Sequence, residues 1–183
     1  MANFDLDKRR SAEAAMKFIM SSAFSSGLLL FGISMLYGSA GTLGFAELSK
    51  QLNGNPLQVF SFILLIAGFG FKISAVPFHL WTADVYEGSP VAVTSYLSVI
   101  SKGSVLFVMV SVLYTVFSPL QQSWYNMLFL LSVLTMLIGN LFALRQQNMK
   151  RFLAFSSVAQ VGFVLVWHYR ASRRKAAHRS FIL

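Results

Sequence analysis

Five long runs of apolar residues, separated by short polar links, constrain the fold of this chain more than any other feature of its sequence. They cover residues 12–37, 57–83, 91–117, 124–144 and 152–169. A helix needs roughly 20 apolar residues to cross a hydrocarbon core about 30 Å thick, and these runs approach or exceed that length. Their hydrophobicity is continuous rather than alternating, which favours α-helices among the structures that satisfy their own backbone in lipid.

Few charges are available to cover a soluble surface. Charged residues make up 11% of the 183 residues and hydrophobic residues 56%, whereas soluble domains carry about 25% charged residues. The sequence therefore predicts an all-α integral membrane protein with about five transmembrane helices in the lipid bilayer. The chain has no cysteine, and no glycine-rich phosphate loop, metal-ligand cluster or nucleophile triad is visible. We expect it to bind no cofactor and no metal through its own residues.

Basic residues account for the formal net charge of +9, and they lie in loops, as is typical of membrane proteins. We therefore expect no nucleic-acid partner. Two basic regions are separated by four helices. They are the start of the chain, with Lys8, Arg9, Arg10 and Lys17, and the link before the fifth helix, with Arg145, Lys150 and Arg151. An even number of crossings places both on one side, which the positive-inside rule predicts to be cytoplasmic or matrix-facing.

The last residues depart from this pattern. Residues 167–183 are basic and follow the fifth apolar run, so they would lie on the opposite side of the membrane. The composition also changes abruptly after Val166. We expect a partial membrane domain over residues 8–166, followed by a tail over residues 167–183 that arises from truncation or a frameshift.

Two lysines stand in apolar surroundings. Lys72 lies in AGFGFKISAVPFHLW, and Lys102 lies 11 residues after Val91, a rise of roughly 16 Å that brings it near the bilayer midplane. An ionisable group at that depth costs on the order of 3 kcal/mol, which makes it a candidate functional residue. Lys72 and Lys102 are therefore predicted to transfer protons. The alternative is that each is paired with a carboxylate to support helix packing.

Pro77 interrupts the second apolar run. Proline removes one helical hydrogen bond and clashes with the carbonyl four residues back, that of Ile73, so we expect a broken helix next to Lys72. An ordinary proline kink is the alternative. His79 follows Lys72 by seven residues, so the two side chains would share a face if the helix persisted. Its near-neutral titration suits a proton relay, although a hydrogen bond at a helix end would also explain it.

Other polar residues are secondary candidates. Asp84 and Glu87 are expected at the cytoplasmic rim, where they could cap the third transmembrane helix or receive protons. Ser156, Ser157 and Gln160 place hydroxyls and an amide in the fifth helix. They could hold water in a proton path, but interhelical hydrogen bonding is the simpler interpretation.

The stretch GFGFKISAVPFHLWTADVYEGSPVAVTSYLSVISKG resembles the proton-translocating antiporter-like membrane subunits of respiratory complex I. Its pattern F-K-x-S-x-V-P-F-H-x-W-x-x-D-V-Y-x-G-x-P-x-x-V is far more specific than a lone lysine. The stretches GNLFALRQQNMKRFLAFSSVAQVGFVLV and RRSAEAAMKFIMSSAFSSGLLLFGISMLYGSAGTL fit the same family. Within it, the similarity is greatest to subunit N of NADH-quinone oxidoreductase, called subunit 2 in mitochondria, and it covers residues 8–166.

This resemblance implies a position within a larger fold. The chain would be helices six to ten of a fourteen-helix subunit that contains two inverted five-helix repeats. Lys72 occupies the position of the lysine in the broken seventh helix, and Lys102 that of the lysine in the eighth. The glutamate expected to pair with Lys72 belongs to the fifth helix and would precede residue 1. The later helices, including the twelfth with its own lysine, would follow the chain, and relatives can have histidine at the position of Gln160.

The resemblance also implies a function. The chain would belong to a proton-translocating NADH-quinone oxidoreductase of the bacterial inner membrane, or alternatively of the mitochondrial inner membrane. Other membrane subunits of complex I would be its partners, and NADH, FMN, iron–sulfur clusters and quinone would be bound by other subunits. Two alternatives stay open: a subunit of a multisubunit cation/proton antiporter, or a fragment without activity.

Overall fold

The computed structural model describes the backbone of residues 9–180 and, within it, the side chains of residues 11–121 and 124–170. This part of the chain contains helices and no strand. The helices are α1 (Arg9–Ala40), α2 (Phe45–Gln51), α3 (Pro56–Ile73), α4 (Leu80–Gly88), α5 (Val91–Ser95), a π-helix (Tyr96–Ser101), α6 (Lys102–Thr115), a 3₁₀ turn (Ser118–Leu120), α7 (Gln121–Leu144) and α8 (Met149–Ser180).

Five stretches of helix in the described residues are long and apolar enough to cross a membrane, which confirms the predicted all-α membrane fold. They are Ser11–Ala40, Pro56–Ile73, Val91–Thr115, Trp124–Leu144 and Met149–Arg170. The third of them is a single rod composed of α5, the π-helix and α6. Each stretch overlaps one of the five apolar runs, and the second covers only the first part of its run, up to Ile73.

Two local features differ from the sequence prediction. The short helix α2 lies in the link between the first and second apolar runs, where glycine and asparagine favour a loop, and it buries Leu48 against the end of the bundle. Helix α8 continues to Ser180, well past the apolar run that ends near residue 169. Alanine, arginine and lysine are good helix formers, so the basic sequence extends the helix without an apolar stripe.

The predicted break in the second apolar run is confirmed, and it starts three residues before Pro77. Helix α3 ends at Ile73, Ser74 adopts the left-handed conformation (φ 62°, ψ 36°) and α4 starts at Leu80. The Ser74 N–H donates to the Phe71 carbonyl and the Ala75 N–H donates to the Gly70 carbonyl. This pair of bonds is a Schellman motif, which terminates a helix cleanly.

Neighbouring side chains satisfy backbone groups around the break. The Val76 N–H donates to Thr135 Oγ1 of α7 at 3.1 Å, and Trp81 Nε1 of α4 donates to the Phe71 carbonyl at 3.0 Å. Non-helical backbone is tolerated at membrane depth only when protein or water replaces the lost bonds. These contacts therefore allow the helix to stay broken inside the bundle.

The two basic regions lie at the same end of the bundle, as four intervening helices require. Lys17 near the start of α1 and Arg151 at the start of α8 both contact Asp84 in the middle of α4, at 2.6 and 3.1 Å. We call this the basic end. At the opposite end, the Ser49 and Ser118 hydroxyls lie 3.2 Å apart. The assignment of the basic end to the cytoplasm rests on the positive-inside rule.

Helices α7 and α8 approach each other through glycines. A Cβ atom added to Gly139 would lie 2.9 Å from the Ala159 backbone nitrogen, and one added to Gly162 would lie 3.0 Å from the Met136 nitrogen. Backbone atoms cannot move aside as a flexible side chain can. Small residues are the usual means by which membrane helices pack closely.

Replacing Gly139 with alanine should therefore separate α7 from α8. We expect Gly139→Ala to lower the stability of the detergent-solubilised protein by about 1–3 kcal/mol through overpacking, measured as the midpoint of thermal unfolding by tryptophan fluorescence. Gly27→Ala is the matched control, because nothing lies within 4 Å of its added Cβ. Equal midpoints for the two variants would contradict this account of the helix contact.

Candidate functional site

Lys102 is a buried amine held between three helices. Its side chain is 4% exposed, and Nζ donates to Ser157 Oγ of α8 at 2.9 Å. The Ser157 hydroxyl in turn donates to the Ala154 carbonyl at 2.7 Å. On the other side, Lys102 Nζ lies 5.5 Å from the centre of the Tyr86 ring of α4, within the range at which an aromatic face attracts a cation.

A turn of π-helix, Tyr96–Ser101, immediately precedes Lys102. Such turns are rare and occur mostly where function requires a local change in helix register. The extra residue per turn shifts the direction in which later side chains project, Lys102 included. No periodicity in the sequence signalled this feature, because the apolar run continues through it.

A cavity of about 610 Å³ lies beside Lys102, between the third and fifth membrane-spanning helices. The three polar residues predicted in the fifth helix, Ser156, Ser157 and Gln160, all line it together with Lys102. Polar side chains from the facing helix also contribute, namely Thr94, Ser95 and Ser98. Ser157 makes the interhelical hydrogen bond expected of this group, and the others surround the same space.

Lys72 lies in the last turn of α3, directly before the break. It is half-buried, and its Nζ donates to Ser26 Oγ of α1 at 3.3 Å. A smaller cavity of about 110 Å³ lies next to it. Among the described side chains, neither Lys72 nor Lys102 is within ion-pair distance of a carboxylate, so the packing alternative finds no acidic partner there.

His79 does not share a face with Lys72. The expectation depended on a continuous helix, and the helix ends at Ile73. His79 is instead 4% exposed, with its ring 5.8 Å from that of Phe142 and 6.3 Å from that of Phe155. The break therefore turns the imidazole toward α7 and α8, and a relay role for His79 stays a prediction.

Asp84 and Glu87 lie at the basic end and form ion pairs there. Asp84 contacts Lys17 and Arg151, and Glu87 Oε2 accepts from Arg151 at 2.9 Å. No side chain caps the start of α5, where Pro90 is the N-cap residue. The carboxylates thus join α4 to α1 and α8 rather than capping the third transmembrane helix.

Several residues of the site were not predicted from the sequence. Lys17 was counted only for orientation, and Ser26 is one of several small residues of the first apolar run, which favour close helix packing. Tyr86, in the polar link between the second and third apolar runs, and Thr135, inside the fourth run, carried no signal of their own. Their roles arise from contacts between residues far apart in sequence. Within the described part of the chain, no three His, Asp or Glu side chains group as metal ligands.

A stability measurement separates the functional interpretation of Lys102 from the packing one. Lys102→Met keeps the length of the side chain but removes a buried amine, so we expect it to stabilise the bundle by about 1–2 kcal/mol. That change would raise the thermal unfolding midpoint by about 2–8 °C. Lys50→Met, at an exposed position of α2, should leave the midpoint unchanged. A lower midpoint for Lys102→Met would mean that the amine supports packing.

Comparison with known proteins gives one consistent family. The family model described as "NADH:quinone oxidoreductase/Mrp antiporter, TM" matches residues 1–178. Subunit N of NADH-quinone oxidoreductase from Azobacteroides pseudotrichonymphae is 52% identical over 163 residues, which are 89% of this chain and 34% of that protein. The chain thus spans about a third of the length of the curated relatives that it matches.

Solved structures of respiratory membrane complexes contain the same fold. One is respiratory complex I from Thermus thermophilus, with a TM-score of 0.77 and 32% identity, covering 92% of this chain and 36% of that one. The archaeal membrane-bound sulfane sulfur reductase has a TM-score of 0.80 and 30% identity, covering 92% of this chain and 35% of that one. The five apolar helices and the bacterial relatives together indicate a multi-pass protein of the bacterial inner membrane.

Proposed function

Because this chain belongs to the family of NADH:quinone oxidoreductase and Mrp antiporter transmembrane subunits, we propose that it carries protons within a membrane subunit of NADH-quinone oxidoreductase. The observation that carries the proposal is the pair of lysines inside the bundle whose amines contact serine hydroxyls. Names of relatives support the choice of complex, since proteins 52% and 44% identical are both called NADH-quinone oxidoreductase subunit N.

A buried amine without a carboxylate partner is costly, on the order of 3 kcal/mol. Packing alone gives no reason to keep the buried Lys102 amine, or the half-buried Lys72 amine beside the helix break. A proton carrier, however, needs a group that is stable enough in both its charged and its neutral form. Lys102 meets that need, because the Ser157 hydroxyl can accept a hydrogen bond from the ammonium and also from the neutral amine.

In the proposed mechanism the two lysines exchange a proton. Lys72 sits where α3 ends, so a movement of the broken segment would change the position of its amine relative to Ser26 and to the rest of the bundle. A proton released from Lys72 would pass through water or hydroxyls to Lys102. From Lys102 it would move onward along Ser156, Ser157 and Gln160, the polar side chains that α8 contributes to the cavity there.

Redox chemistry would occur elsewhere in the complex. NADH, FMN, iron–sulfur clusters and quinone would be bound by other subunits, and this chain would receive only the mechanical and electrostatic signal that follows quinone reduction. Other membrane subunits of the complex would be its partners. A carboxylate expected from a preceding helix would hold Lys72 in its charged form until that signal arrives.

Removing either amine tests this proposal. With the intact subunit assembled in the respiratory membrane, Lys72→Ala and Lys102→Ala should each reduce proton pumping driven by NADH oxidation by tenfold or more, because no other side chain in the described residues replaces the amine. Pumping is measured by the quenching of a pH-sensitive dye in inverted vesicles. Lys50→Ala, an exposed lysine outside the membrane-spanning helices, is the control, and unchanged pumping in both test variants would sink the proposal.

A cation/proton antiporter subunit is the second candidate, since the family description includes the Mrp antiporters. The same vesicles distinguish the two. A subunit of an oxidoreductase should support proton uptake on addition of NADH and none on addition of sodium. An antiporter subunit should respond to a sodium gradient and be indifferent to NADH.

A further inference from the structure

Two side chains in the described residues interact with the Lys102 amine, and only one of them responds to its charge. Ser157 Oγ accepts a hydrogen bond from Nζ at 2.9 Å, and Nζ lies over the ring of Tyr86, 5.5 Å from the ring centre. A hydroxyl accepts a hydrogen bond from a charged or a neutral amine. The face of an aromatic ring is negative and attracts a cation within about 6 Å. The ring therefore stabilises the ammonium more than the neutral amine.

Both partners of this contact are shielded from water. Tyr86 is 1% exposed and Lys102 is 4% exposed. The ring belongs to a small apolar cluster whose other buried members are Ala83, Ala143, Ala154 and Phe155. A cation–π contact is strongest where neither partner is solvated. Because a charged amine at membrane depth is costly, the ring offsets part of the free-energy cost of a charge on Nζ.

Contacts at the end of α4 hold the ring in place. Glu87 Oε2, one residue after Tyr86, accepts a hydrogen bond from Arg151 of α8 at 2.9 Å. The Thr94 hydroxyl of α5 donates to the Tyr86 carbonyl at 3.4 Å. Helix α8 also carries the hydroxyl partner of the amine, and α5 continues through the π-helix into α6, which carries the amine itself. The elements that fix the ring are thus the ones that place the two groups next to it.

The Tyr86 hydroxyl takes no part in this arrangement. It is buried, and in the described part of the chain it has no hydrogen-bond partner. A buried hydroxyl without a partner lowers stability, so the hydroxyl does not explain how the ring is held. Phenylalanine at this position would keep the ring and its packing. The contribution of the ring can therefore be measured apart from that of the hydroxyl.

We infer that Tyr86 is a further residue of the proton-transfer site, whose ring stabilises Lys102 each time it becomes charged. This inference rests on the proposed function. When the neutral Lys102 amine receives a proton released by Lys72, one N–H bond breaks on Lys72, one forms on Lys102, and the positive charge moves to the Nζ atom that faces the ring. The new N–H bond breaks when the proton moves on, and the charge leaves the ring.

Ring fluorination tests this inference with little change in shape. In the intact subunit, assembled in the respiratory membrane, Tyr86 is replaced by phenylalanine and then by phenylalanines that carry one, two or three ring fluorines. Each fluorine withdraws electrons from the ring face and weakens its attraction for a cation. Tyr86→Phe should keep at least half of the NADH-driven proton pumping per assembled complex. Pumping should then fall with each fluorine, by about fivefold or more over the series.

Phe117 provides the matched control. It is buried to the same extent as Tyr86, at 1% exposed, and its ring packs against that of Phe62 with the centres 4.7 Å apart. In the part of the chain that the structure describes, a lysine amine faces the Tyr86 ring and none faces that of Phe117. The same fluorinated series at Phe117 should leave pumping unchanged. Equal losses at the two positions would show a packing effect and overturn the inference.

Two further outcomes would also overturn it. Constant pumping across the Tyr86 series would mean that the ring does not act on the charge. Tyr86→Leu removes the ring and should lose at least as much pumping as the most fluorinated ring; a loss of the same size in Tyr86→Phe would assign the role to the hydroxyl instead. If the series is flat while Lys102→Ala loses pumping, the proposed function stands without Tyr86. Full pumping in Lys102→Ala would overturn both.

Discussion

Hydrocarbon offers no hydrogen-bond partners to the backbone. The rest of this structure depends on how the backbone N–H and C=O groups find partners where the second transmembrane helix ends. The carbonyls of Gly70 and Phe71 and the N–H of Val76 would be unpaired at membrane depth. The Schellman motif, Trp81 and Thr135 supply their partners. Because the break is satisfied by neighbours on two other elements, it is a stable feature of the bundle that places Lys72 at a helix end.

Three lysines of the described residues, Lys17, Lys72 and Lys102, fall into two classes with different partners. At the basic end, Lys17 is paired with carboxylates, and such a pair is disrupted when either partner loses its charge. In the interior, Lys72 and Lys102 contact serine hydroxyls. A hydroxyl remains a hydrogen-bond partner whether the amine is charged or neutral. Within the described residues, the two interior lysines are therefore held by neutral hydrogen-bond partners, whereas Lys17 is held by carboxylates.

The two classes are arranged along the membrane normal, and this arrangement gives the bundle a direction. Ion pairs hold α1, α4 and α8 together at the basic end, and the cavities beside Lys72 and Lys102 lie further in. The larger apolar core, with residues such as Leu36, Phe62 and Trp124, extends toward the opposite end. In the described residues, charged pairs thus mark one end of the bundle and packed apolar side chains the other.

Much of this could be predicted from the sequence. Helix number, membrane insertion and the shared side of the two basic regions depend on the length of apolar runs and the placement of charges. Both are properties of single segments. The break near Pro77 was predictable for the same reason, since proline acts on its own helix. Lys72 and Lys102 stood out because placing an ionisable side chain in the membrane interior costs free energy, whichever helix it packs against.

What only the tertiary structure decided is which side chains meet. The serine partners of the lysines, the Lys17–Asp84 pair and the Thr135 contact to the broken backbone join residues 46 to 67 positions apart, and no local pattern encodes such distances. His79 shows the same limit, since its side chain lies toward α7 and α8 because the helix ends at Ile73. The apolar sequence determines that a helix spans the membrane. The packing of the helices determines which polar side chains meet between them, and so which residues can form a site.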